Sequence, residues 1–193
     1  MVKVKPKFPA YVLPKLFTTV YVFLSDILSC QDTPLFFEAL QEFGQTIGET
    51  QFIVEHNGAL KVWRKPLNGG LAQQELNYPN FKKTIPTEIF ADVLYNKSLQ
   101  PECEEYYFTF AVEGTIYGTL SSWFIYHNTD YEILIVGVDA EVKEDFKQCV
   151  LSIKQVHDFF YQDKVELEQH YVFRYEKHLL QFIQAYPMWS GLK

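Results

Sequence analysis

Cysteine is scarce and scattered. Cys30, Cys103 and Cys149 are three in number and widely spaced, which excludes both a disulfide framework and a Cys-x-x-Cys metal or redox site. Buried, reduced thiols in a cytoplasmic protein are the expectation. Long apolar runs are also missing: no stretch reaches the ~18 apolar residues of a transmembrane helix. Glycine and proline number nine each, too few and too dispersed for a collagen-like or low-complexity chain. No internal repeat is visible. The sharpest deficit is local. From Ser98 to Val142 there is no lysine and no arginine.

That window carries eight acids: Glu102, Glu104, Glu105, Glu113, Asp130, Glu132, Asp139 and Glu141. It also carries nine aromatics: Tyr106, Tyr107, Phe108, Phe110, Tyr117, Trp123, Phe124, Tyr126 and Tyr131. Charged residues normally mix both signs. An acidic, aromatic surface suits a basic protein partner, because complementary charge steers encounter and aromatics anchor contacts. Glu102, Glu104, Glu105, Tyr107, Trp123, Asp130 and Glu132 are the candidate partner-binding residues. The carboxylates are expected to be exposed, since unpaired ones are costly to bury. Trp123 and Tyr107 are the aromatics expected beside them.

The net charge is −7. The first fifteen residues hold Lys3, Lys5, Lys7 and Lys15 and no acid, so residues 16–193 carry 13 basic against 24 acidic residues. Residues 1–15 read as a basic, Pro-punctuated extended arm, and 16–193 as a single α+β domain ending in two helices. An acidic body excludes nucleic acid as the expected partner, because Lys and Arg contacts to phosphate supply most of that affinity. RNA-binding sheets likewise carry cations among their aromatics, and the strands of this window carry none. The run Leu16–Leu24 behind four lysines, with Ile27-Leu28-Ser29-Cys30 after it, has the outline of a lipoprotein signal. Asp26, Thr18, Thr19 and the prolines at 6, 9 and 14 argue against it. No membrane association is expected.

Phe17–Leu24 is β-branched, aromatic and continuously apolar, which predicts a central strand. Asp32-Thr33-Pro34 opens a helix that Gly44 is expected to end. Phe52–His56 and Leu60–Arg64 flank Asn57-Gly58, a strong hairpin signal. Residues 66–84 read as a long, mobile connection. Thr84-Ile85-Pro86-Thr87 opens a helix through Tyr95. Strands at Glu105–Glu113, Ile116–Tyr126 and Tyr131–Val138, with turns at Gly114 and Asn128-Thr129-Asp130, predict a meander. Asp139 caps a helix running to Tyr161, and a last helix spans 168–186. The expected fold is α+β: an antiparallel sheet, a hairpin plus a three-stranded meander, with helices packed mainly on one face.

Sites for chemistry are few. There is no Gly-x-Ser-x-Gly elbow, and Ser121-Ser122 falls mid-strand in this reading. Cys103, between Glu102 and Glu104, is a poor thiolate because neighbouring negative charge raises its pKa. Asn68-Gly69-Gly70 lacks the Lys-Ser/Thr of a phosphate loop. His127 reads as a turn residue or, less simply, a positioned base. On a strand, Glu166, Glu168 and His170 would share a face fit for a metal; on a helix Glu168 points away, and they make a solvated polar face. No catalytic residue, metal or cofactor is expected. The best reading is a non-catalytic protein-binding domain, an acidic inhibitor or immunity-type protein that blocks a basic enzyme or toxin. The alternatives are a structural or homo-oligomeric subunit, or a metal-dependent enzyme using Glu166, Glu168 and His170.

Overall fold

The computed structural model describes residues 13–24, 33–56, 60–64, 72–76, 81–95, 113–128 and 133–157. Six strands form one antiparallel sheet in the order β1-β8-β7-β6-β2-β5. They are β1 (Thr19–Leu24), β2 (Gln51–His56), β5 (Phe81–Pro86), β6 (Glu113–Gly118), β7 (Trp123–Asn128) and β8 (Ile133–Val138). Strands β3 (Leu60–Arg64) and β4 (Ala72–Leu76) pair with each other in a separate two-stranded sheet. Helix α1 (Thr33–Thr46) follows β1. A 3₁₀ turn, Thr87–Ile89, leads from β5 into α2 (Phe90–Tyr95). After β8 come α3 (Lys143–Phe146), a π-helical turn (Lys147–Leu151) and α4 (Lys154–His157). The class is α+β with an antiparallel sheet, as the sequence predicts. No helix among the described residues is long and apolar enough to cross a membrane.

Alternation along the strands assigns the two faces. Tyr21 and Phe23 of β1, Phe52 and Val54 of β2, Ile116 of β6, Trp123 and Ile125 of β7, and Leu134, Val136 and Val138 of β8 turn to one side. There they bury a common core with Phe36, Phe37, Leu40 and Phe43 of α1, Phe90 of α2, Phe146 of α3 and Val150 of the π turn. Aromatic rings run through it edge to face. Phe52 meets Phe90 at 4.4 Å and Trp123 at 5.1 Å, and Phe43 meets Trp123 at 5.8 Å and Phe146 at 5.3 Å. Such pairs add about 0.5–1.5 kcal/mol each beyond their buried area. The other face is closed along β1 and β8, where Val20, Val22, Ile133 and Ile135 are buried. Along β6, β2 and β5 it is only partly covered: Thr115, Tyr117, Ile53 and Glu55 are half-buried, while Lys82 and Thr84 are exposed.

Several sequence expectations need correction. The strand beginning near Phe17 lies at an edge of the sheet, not its centre. It looks central because both its faces are buried. The Asn57-Gly58 hairpin does not pair β2 with β3. Both edges of β2 are taken, by β5 and β6, so β3 pairs with β4 instead; Asn57 and Gly58 themselves lie outside the described residues. The connection at 66–84 contains β4 and the start of β5. The segment from Thr84 stays in β5 to Pro86 before turning helical.

The meander is built from β6, β7 and β8 and sits centrally; residues 105–112 lie outside the described residues. Gly114 is inside β6, opposite His127, and the run 116–126 breaks at 119–122. Asp139 does not cap the following helix: α3 starts behind Val142 with no side-chain cap, and Asp139 pairs with Lys15. That helix is interrupted by the π turn, where Ser152 N–H donates to the Lys147 carbonyl at 2.9 Å. Gly44 does not end α1. Its missing side chain admits the Phe52 ring, which a Cβ would overlap. The helix runs to Thr46 and is stopped by Gly48, whose φ of 80° lets its N–H reach the Gln45 carbonyl and that of Glu49 reach the Gly44 carbonyl. This is the left-handed glycine stop, four residues later than expected. The helix expected at 168–186 lies outside the described residues.

Candidate functional site

Of the seven candidate partner-binding residues, Trp123 is the one the structure describes, and it is not exposed. It opens β7, a strand with neighbours on both sides, and its position faces the helices. Its ring is 1% exposed against Phe43 and Phe52. Trp123 is therefore a core residue, and its expected place on a docking face is corrected. Glu102, Glu104, Glu105, Tyr107, Asp130 and Glu132 lie outside the described residues, as do Glu166, Glu168 and His170. Ser121 and Ser122 lie in the turn before β7, not mid-strand, and Ser121 has a φ of 59°. His127 is not a turn residue. It sits inside β7 opposite Gly114 and Leu134 and is fully buried.

The described residues instead form two polar clusters. The first lies on the open half of the sheet. Register puts Glu55 of β2 opposite Lys82 of β5 and Ile53 opposite Tyr117 of β6. Glu55 thus has Lys82 beside it and Tyr117 on the diagonal. Tyr117 donates its hydroxyl hydrogen to Glu55 Oε1 at 2.7 Å, and Lys82 Nζ donates to the Tyr117 hydroxyl at 3.1 Å. Lys82 and Glu55 also form an ion pair, and the ammonium stands 5.8 Å from the centre of the Tyr117 ring. Tyr117 in turn stacks on Phe124 with centroids 5.5 Å apart.

Each group in this cluster is held in its ordinary charge state. Burial pushes the Glu55 carboxyl up, but the hydrogen bonds from Lys82 and Tyr117 together outweigh it and hold the pKa below the usual value. The bonds to Glu55 and Tyr117 push Lys82 up. Burial, then the bond to Glu55, pushes the Tyr117 phenol up. At neutral pH the site holds a carboxylate, an ammonium and a neutral phenol. None is poised near neutrality, as a general acid or base needs to be. What the arrangement does is tie β5 and β6 to β2. As a surface ion pair it adds little stability.

The second cluster is a buried clasp. Glu49 follows the stop of α1 and is 4% exposed. Its Oε2 accepts from the Thr119 N–H at 2.9 Å and the Thr119 hydroxyl at 2.8 Å, and its Oε1 accepts from the Leu120 N–H at 2.9 Å. Successive backbone N–H groups make an anion-binding concavity. Here the chain's own carboxylate fills it. Gly118 makes room, since a Cβ there would overlap the Glu49 carboxylate. The bonds hold the turn that breaks the run 116–126. Sequence reasoning missed both clusters. Glu55 and Lys82 meet only through the β2–β5 pairing that the Asn-Gly signal hid, and Glu49 has no local motif around it. Among the described residues, no three of His, Cys, Asp and Glu converge as a metal site would require. Comparison with protein-family models, with curated proteins and with solved structures finds no match to the chain.

Proposed function

We propose that the protein is a non-catalytic protein-binding domain, an inhibitor or immunity-type protein whose partner is a basic enzyme or toxin. The observation that carries this reading is the charge distribution. Residues 98–142 hold eight acids and no lysine or arginine within a chain of net charge −7. The two polar clusters have structural work already, because Glu55, Lys82 and Tyr117 satisfy one another and Glu49 satisfies the backbone of Thr119 and Leu120. A long-range negative field raises the encounter rate with a basic protein and is screened over ~8 Å at physiological salt. The docking face proposed from the sequence consists of Glu102, Glu104, Glu105, Asp130 and Glu132 with Tyr107, Trp123 being withdrawn from it. The location that fits this role is the cytoplasm.

The test is capture on the immobilised full chain from a lysate of its own source, followed by rate measurements on the captured protein. A basic partner is expected, with its enzymatic activity blocked at one equivalent of the chain. Its association rate should fall steeply as salt rises from about 50 to 500 mM. Replacing Glu104, Glu105 and Glu132 together by Gln should lower the association rate far more than it raises dissociation. An acidic partner, an association rate indifferent to salt, or the failure to capture any saturable partner would overturn the reading.

A further inference from the structure

The turn between β6 and β7 is held at both ends and bare at its tip. Gly118 and Ser122 are buried, while Thr119, Leu120 and Ser121 between them are exposed. On the β6 side the Glu49 carboxylate binds the Thr119 N–H, the Thr119 hydroxyl and the Leu120 N–H. On the β7 side the Ser122 carbonyl accepts from the Asp139 N–H at 2.8 Å. The strands behind the turn are locked together as well, since Tyr117 pairs with Phe124 and their rings stack.

Two features of the tip go beyond what a hairpin needs. Ser121 has a φ of 59°, and among the described residues it is the one non-glycine residue with a positive φ. A turn that requires a left-handed residue takes glycine at no steric cost; a serine there is held against its own preference. Backbone kept in such a conformation by its surroundings clusters at ligand-contacting sites. Beside it, Leu120 is 52% exposed although its N–H is anchored on a buried carboxylate. An exposed leucine alone needs no explanation. On a fixed turn, however, it has already lost the backbone freedom that binding would otherwise cost. The tip also carries no charge. Thr119, Leu120 and Ser121 are neutral, and Glu49 is 4% exposed with its oxygens turned to the backbone. In a chain of net charge −7, contact at this point is made by apolar area and a hydroxyl.

We propose that this turn is a rigid docking finger. Leu120 enters an apolar pocket on a protein partner, and the Ser121 hydroxyl meets a hydrogen-bonding group at the mouth of that pocket. The partner is a folded protein with a concave, uncharged site the size of one leucine side chain. The proposal rests on the partner-binding reading above: the acidic window acts at long range, and the finger anchors at short range.

The test places a diazirine analogue of leucine at position 120 of the full chain and irradiates it in a lysate of the protein's own source. One basic protein should be cross-linked, through apolar residues that line a pocket. The same analogue at Leu16, which is 78% exposed, should not mark it. Affinity for the cross-linked protein should fall about tenfold or more with Leu120→Asp, because a carboxylate is costly to bury in an apolar pocket. Leu120 is exposed, and an unchanged urea midpoint would show that this variant folds. Ser121→Gly frees the backbone of the turn. It should leave the urea midpoint no lower and yet weaken binding, a separation that a role in folding alone would not produce. A captured protein that position 120 fails to mark, equal marking from positions 16 and 120, or full affinity in either variant would overturn the finger. Capture of a basic protein in any of those cases leaves the partner-binding reading standing. If nothing is cross-linked or saturably captured, both fall.

Discussion

Glu49 accepts three hydrogen bonds where α1 hands over to β2, and it is the residue on which the turn between β6 and β7 depends. A hydrogen bond to a charged group contributes about 1.5–3 kcal/mol, and leaving its donors buried and unpaired costs about as much. Glu49→Ala should therefore lower the unfolding free energy by about 3 kcal/mol in urea denaturation, and Glu49→Gln, which keeps one acceptor oxygen, by less. A change within about 0.5 kcal/mol, the scatter of an ordinary surface substitution, would show that water replaces the clasp. Tyr21 gives the pH counterpart. Burial, with Glu144 nearby, pushes its phenol from 10.0 up to about 12. The folded protein thus holds the Tyr21 proton through a range in which the unfolded chain has lost it. By linkage, Tyr21's contribution to stability is full below pH 10.0 and is lost as pH rises towards about 12. Tyrosine absorbance followed through an alkaline titration should show a late component that Tyr21→Phe removes. Neither residue was legible beforehand. A lone Glu after a Gly and a Tyr in an apolar run acquire their roles from partners about seventy and more than a hundred positions away.

At the scale of elements, α1 sets two effects against each other at Gly44. Helix propensity alone favours Gly44→Ala by about 1 kcal/mol. The Phe52 ring occupies the space the new methyl needs, and Phe90 and Trp123 hold that ring in place. Overpacking a core costs about 1–3 kcal/mol, so Gly44→Ala should be destabilising. A thermal midpoint that rises would show that Phe52 gives way. Element existence was largely legible where periodicity was strong: α1, the strands β1, β2, β3 and β8, and the helical segment after β8 all lie where apolar spacing put them. Pairing was not. An Asn-Gly signal is local, whereas the choice of β5 and β6 as partners for β2 was made by the core that Phe52 and Val54 join. Strand β5 was hidden by its lysines and its proline. These residues suit an edge: Thr87 donates to Thr50, and alternation along an antiparallel pair then turns the backbone groups of Lys82 and Thr84 outward. Pro86, which has no N–H, falls in the same outward set, where a proline is tolerated.

Across the whole molecule, the class of fold could be read from the chain, while the site could be read only as chemistry without geometry. Acid excess and aromatic content are properties of composition. Which aromatics face outward is decided by register and by which face the helices cover: Trp123 alternates onto the helix-covered face and is buried, while Phe124 beside it turns to the other face and is half-buried. The same order sets a timetable for synthesis. Among the described residues, β1 is the first strand of the sheet to be made and its neighbour is β8, the last of the six: Thr19 meets Val138. At about 5–20 residues per second, roughly 6–24 s of synthesis separate the two strands. Through that interval Val20, Val22 and Phe23 wait for the strand they lie beside in the finished sheet, and the nascent chain carries an apolar ribbon. Joining strands so far apart in sequence carries a large loop-closure cost, and long-range pairings of this kind are slow to form.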